Sequence, residues 1–153
     1  MWCMHVIEAP EDITGGLGED LDSLCSLLPV RWGDAEIALR QVAFSDDTAV
    51  GQVTVLKGAL RPELADLLEQ HGVARETAAE CADLVVRKTF RNRGVGKILL
   101  ESITTLGHEK GLRLVAVVDA QGTSAHRTFL AAGWQEIGIP SGGRLMIGPA
   151  LPA

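Results

Sequence analysis

The 153-residue chain has the length of one domain and can bury a sizeable core without disulfides or metal ions. Its apolar share of 46% and charged share of 22% are globular values, and no Pro/Ser-rich or low-complexity tract marks a linker, so a single domain over residues 1–153 is expected. The net charge of −6 argues against a nucleic-acid binder, and Cys3, Cys25 and Cys81, odd in number and without C-x-x-C spacing, argue against a disulfide framework or a zinc site.

The opening MWCMHVIEAPEDITGG carries neither a basic nor an apolar leader pattern, and nowhere do about 18 apolar residues run together, so a soluble cytoplasmic protein without membrane contact is expected. A short strand is predicted over residues 3–7. Leu21, Leu24, Cys25 and Leu28 recur at helical spacing, with acids ahead and Pro29 behind, which predicts a first helix. AEIALRQVAFSDDTAVGQVTVLKG reads as two β-rich runs about the turn Ser45-Asp46-Asp47-Thr48, an antiparallel hairpin. RPELADLLEQHG has Pro62 in a first helical turn, Leu64, Leu67 and Leu68 on one face, and Gly72 as a stop.

ECADLVV then predicts a short strand, and FRNRGVGKILLE turns from a basic, glycine-bearing elbow into a helix carried by Val95, Ile98, Leu99, Ile103 and Leu106 up to Gly111. LRLVAVV is a buried strand, so strand, elbow, helix and strand form a parallel βαβ unit. A helix over 123–132 ended by Gly133 and strands over 134–137 and 145–147 complete the order β, α, ββ, α, β, α, β, α, ββ. The fold class is α/β (α+β), a central mixed sheet with helices on both faces.

The elbow is the chemical signal. The first N–H groups of a helix lack internal acceptors and carry partial positive charge. Gly94 and Gly96 have no Cβ to keep a phosphate away, and Arg91, Arg93 and Lys97 add fixed charge. A phosphate or pyrophosphate seat is predicted; the bland alternative is a glycine-eased turn with solvated cations. A P-loop would need glycine where Arg91 stands and a hydroxyl where Ile98 stands, and a dinucleotide fingerprint would need glycine at Leu99.

The letters that do fit are R-x-x-G-x-G, here Arg91-Asn92-Arg93-Gly94-Val95-Gly96, after LVVRKTF and before an apolar helix. This resembles motif A of the GCN5-related N-acetyltransferases (GNAT), and AHRTFLAAGW resembles their late helix ending in a Gly-aromatic pair, Gly133-Trp134. The resemblance runs from about residue 80 to 137 and more loosely over the hairpin and first helix. It implies acetyl-CoA as acyl donor, with no metal, held by residues 91–97 (Arg91, Asn92, Arg93, Gly94, Val95, Gly96 and Lys97), and its arm paired with the backbone of Leu84, Val85 and Val86, where an N–H polarises the thioester. Phe129 stands where the family often has tyrosine, and the chain contains none; Gly122 stands for a frequent asparagine.

Acetyl transfer needs a held carbonyl, a neutral amine and a leaving thiolate. A backbone donor such as that at Val86 is worth about 3 kcal/mol at such a carbonyl. A thiolate of pKa about 8.5 can leave unprotonated, so the missing tyrosine costs a general-acid factor of order 10²–10⁴ at most. Ser124 and His126 are substitute donors with weak signals, Ser124 reading first as a helix N-cap and His126 as an exposed helix residue. Glu80 or Asp83 could serve as base; strand alternation sends them to opposite faces, and of the two Glu80 is favoured, its bland alternative being a solvated strand-start carboxylate. His5, His71 and His108 show no metal-ligand spacing and are expected on surfaces. The expected function is N-acetylation of a small-molecule amine, the alternatives being a silent acyl-CoA-binding module and a protein or peptide N-acetyltransferase. The inserted helix at Pro62 favours a small acceptor by narrowing the groove. The oligomeric state stays open, a homodimer included.

Overall fold

Two ten-residue strands, β2 (Glu36–Ser45) and β3 (Thr48–Lys57), pair antiparallel across a tight turn in which Asp46 adopts φ 54°, a left-handed conformation that Asp tolerates better than most residues. The computed structural model describes residues 4–8, 36–46, 48–57, 61–81, 84–90, 92–119, 123–140 and 142–152. The helix predicted around Leu21 and Leu28 lies outside the described residues, as do Cys3, Cys25, Asp83, Arg91 and Gly122. β1 (Met4–Glu8) pairs antiparallel with β2.

Helix α1 (Pro62–Gln70) begins with proline at its first position and ends at His71 and Gly72, where the N–H of Val73 reaches back to the Leu68 carbonyl at 2.9 Å. β4 (Ala78–Cys81), β5 (Val85–Val86), α2 (Val95–Glu109), β6 (Arg113–Val118), α3 (Thr123–Ala131), β7 (Gln135–Gly138) and β8 (Arg144–Ile147) follow, with a short 3-10 turn, Lys88–Phe90, ahead of α2. The sheet runs β1-β2-β3-β4-β6-β8-β7, with β5 beside β3. Among the described residues only β4 and β6 pair in parallel, as a βαβ unit requires. This is the mixed α/β sheet predicted.

Helices cover both faces. On one, Val95, Leu99, Leu100 and Ile103 of α2 and Phe129 of α3 pack on Ala79, Cys81, Leu114 and Ala116. On the other, Leu64 and Leu68 of α1 pack on Ala78, Val115, Leu145 and Ile147. Leu99, Leu100 and Ile103 are fully buried, each worth about 1.5–3 kcal/mol of apolar transfer. That burial fixes where the N-terminus of α2 points. Among the described residues no helix is long and apolar enough to cross a membrane.

One prediction needs correction. ECADLVV is not a continuous strand: it is the pair β4 and β5. Leu56 faces Glu80 and Val55 faces Cys81, and an unbroken ladder would then bring Leu84 opposite Gln52. Val85 stands there instead, so one extra residue is inserted between Cys81 and Val85, a bulge in register.

Candidate active site

The bulge opens the sheet. β4 pairs with β6 through Glu80 opposite Val115, whereas β5 pairs with β3. Residues 116–118 of β6 are laddered to β8 on their other side. Between β5 and the end of β6 the two strands therefore part.

Hydrogen-bonded and non-bonded pairs alternate along an antiparallel ladder. The Arg87 N–H donates to the Val50 carbonyl at 2.7 Å, which makes Gly51 and Val86, one step along, a non-bonded pair. The N–H and C=O of Val86 are accordingly directed away from β3, toward the parting. The Arg87 side chain donates from Nε to the Ala49 carbonyl at 2.9 Å and ties β5 to the hairpin rather than joining a phosphate seat.

Beyond the 3-10 turn, Asn92 at φ 63° and Gly94 at φ 81° wind the chain into α2. Among the described residues no side chain caps this helix start, and the first internal bond runs from the Ile98 N–H to the Gly94 carbonyl. The N–H groups of Val95, Gly96 and Lys97 precede that bond, so they form the donor end of the helix. Arg93 is exposed, with its guanidinium 5.3 Å from the Phe90 ring centre. Lys97 is exposed too and stands 3.7 Å from Glu101, a pairing weak enough in water to leave it available to a ligand.

The two glycines serve different ends. A Cβ on Gly94 would meet nothing within 4 Å; its requirement is the positive φ. A Cβ on Gly96 would stand 3.0 Å from Thr128 Cγ2 and 3.7 Å from Val86 Cγ2. Gly96 is thus small because α3 and β5 close on it, and not merely to admit a phosphate.

Glu80 lies at the last paired rung before the parting and is half-buried. Alternation along β4 puts it on the α1 face, since its neighbours Ala79 and Cys81 pack against α2. Burial, and secondarily the charge of Glu80, pushes the Cys81 thiol far up, so it stays protonated. Ser124 is the second residue of α3, whose first is Thr123, and so stands inside the helix rather than at its cap. Phe129 is 4% exposed, its ring tilted against Trp134 with centres 4.7 Å apart. His126 is not the exposed residue expected: Nε2 stands 3.0 Å from Glu136 Oε2, without hydrogen-bond alignment, and Arg144 Nε pairs with the other oxygen at 2.8 Å. His71 and His108 meet the main-chain oxygens of Leu67 and Pro149. Helix α1 seats on β4, β6 and β8 at Ala78, Val115, Leu145 and Ile147. Thr128 and the Glu136–Arg144 pair carried no sequence signal, because only tertiary packing brings them to α2 and to His126.

Residues 19–134 match the model of the acetyltransferase (GNAT) family. The chain belongs to this family. Among solved structures, an acetyltransferase from Thermus thermophilus is 19% identical, with 98% of this chain and 100% of that one covered and a TM-score of 0.66. The YncA structure from Salmonella typhimurium, with its cofactor acetyl-CoA, is 13% identical, with 98% of each chain covered and a TM-score of 0.61. The PaiA N-acetyltransferase from Thermoplasma acidophilum, in complex with coenzyme A, is 16% identical; 72% of this chain and 60% of that one are covered, with a TM-score of 0.55. A search of curated proteins found no significant match. At these identities the structural likenesses establish the GNAT fold, and the family is one of acyltransferases.

Proposed function

We propose that this GNAT protein is an acetyl-CoA-dependent N-acetyltransferase that passes an acetyl group to the amine of a small molecule by direct attack on the thioester. The observation that carries this reading is the parting of β5 from β6 beside a cation-flanked start of α2 that no described side chain caps. Arg91, Asn92, Arg93, Gly94, Val95, Gly96 and Lys97 would hold the pyrophosphate, and the backbone of Leu84, Val85 and Val86 the arm, with Phe129 walling the site from the core side. The outward-turned Val86 main chain fits that role. YncA and PaiA, with acetyl-CoA and coenzyme A in their structures, support the choice of donor.

The amine nitrogen attacks the acetyl carbonyl while the outward-directed main-chain N–H of Val86 steadies the charge growing on oxygen. The C–S bond then breaks with its electron pair on sulfur. The nitrogen sheds its proton to a base, a role we assign to Glu80 at the last β4–β6 rung, or to solvent; a donor such as Ser124 or water can protonate the thiolate afterwards. A chain of net charge −6 attracts cationic amines.

The test is thiol release with acetyl-CoA and a panel of small amines and peptides, with mass detection of the products. Acetylated small amines are expected; acetylated peptides alone would replace the acceptor class, and no product from any acceptor would point to the silent module. That second reading has its own observation: Phe129 is buried against Trp134, and the chain has no tyrosine.

A further inference from the structure

Consecutive residues of α3 turn to two different places. Phe129 enters the core beside Trp134, whereas Thr128 turns to the first turn of α2, its Cγ2 only 3.0 Å from where a Gly96 Cβ would be. The hydroxyl Oγ1 stands 3.9 Å from that same point and Val86 Cγ2 3.7 Å from it. Thr128, Gly96 and Val86 are each partly exposed. A β-branched side chain is stiff at χ1, and with its methyl lodged on Gly96 the hydroxyl is held in one orientation.

We propose that Thr128 is a positioning residue for the coenzyme arm, its hydroxyl meeting an amide of the arm where the arm leaves the phosphate seat at α2 for the edge of β5. This rests on the acetyl-CoA reading above. A ligand anchored by its phosphates at Val95, Gly96 and Lys97 and running along residues 84–86 has to pass this corner, because Val86 and Gly96 meet there. A hydroxyl offers one donor and two acceptor sites, so it can serve the arm while keeping a bond within its own helix. The ligand chemistry recognised is a secondary amide next to a pyrophosphate.

The experiment is calorimetric titration of wild type, Thr128→Val and Thr128→Ser with acetyl-CoA and, separately, with ADP, which has the pyrophosphate and lacks the arm. Thr128→Val keeps the methyl contact and should weaken acetyl-CoA roughly 3- to 10-fold, the worth of one neutral hydrogen bond, with ADP unchanged; Thr128→Ser should recover most of the loss. Equal acetyl-CoA affinity in wild type and Thr128→Val, or an equal loss for both ligands, would overturn the assignment while leaving the acetyl-CoA reading intact. Failure of wild type to bind acetyl-CoA would overturn that reading, and this inference with it. If Thr128→Val does not fold, Thr128→Ala takes its place with the same expected pattern.

Discussion

The start of α2 and the middle of α3 touch at Gly96 and Thr128, yet they contribute opposite kinds of chemistry. At α2 the backbone is the reagent: main-chain N–H groups end a helix that no described side chain caps, with Arg93 and Lys97 exposed beside them. At α3 side chains decide, and the one where the family often has a reactive hydroxyl, Phe129, has gone into the core. The contrast teaches that an anion-ready helix start and a reactive side chain are separable in this fold. The first depends on chain geometry, the second on single residues.

The largest effect should come from breaking the α3 side. Phe129→Ala removes a buried ring packed on Trp134 and should cost about 3–5 kcal/mol, measured by urea denaturation. Phe129→Tyr sharpens the contrast by offering a hydroxyl where the ring already sits. Turnover with a responsive amine should equal or exceed wild type; a fall in turnover at unchanged coenzyme affinity would mean that the ring's apolar edge matters in itself.

An intermediate effect separates the two glycines. Gly96→Val drives branched carbon into Thr128 and Val86, and should both destabilise by about 1–3 kcal/mol and weaken acetyl-CoA binding more than tenfold. Gly94→Ala meets open space and should cost about 1–2 kcal/mol through its positive φ alone, most of the coenzyme affinity surviving. Denaturation and calorimetry on both variants test this, and a Gly96→Val protein as stable as wild type would contradict the close contact.

The smallest effect belongs to the exposed cation. Lys97→Ala should weaken acetyl-CoA less than tenfold and flatten its salt dependence, because a charge at the surface is screened within about 8–10 Å. Titrations at low and high salt measure it. An unchanged salt slope would remove Lys97 from the seat.

The elbow could be read in the letters because its requirements are local: glycine at a left-handed position, cations in sequence, and an apolar repeat after it. The hairpin turn at Asp46 and the caps at Gly72, Gly111 and Gly133 were legible for the same reason. The split of ECADLVV was not, since it exists only as a mismatch between the registers of β4 and β5 on β3. Thr128 was invisible too. Its meaning comes from a glycine 32 positions earlier in the chain, which sequence spacing alone does not bring near.

The extra residue between Cys81 and Val85 has a consequence for how this cleft can be inherited and altered. What keeps β5 from continuing the β4 ladder onto β6 is a count of residues, and a count is indifferent to which residues make it up. Point substitutions there can drift widely while the opening persists. Removing one residue would restore the phase of the ladder on β3 and bring the residue now at 85 back by one rung, so the register is indifferent to change of letter and sensitive to change of length.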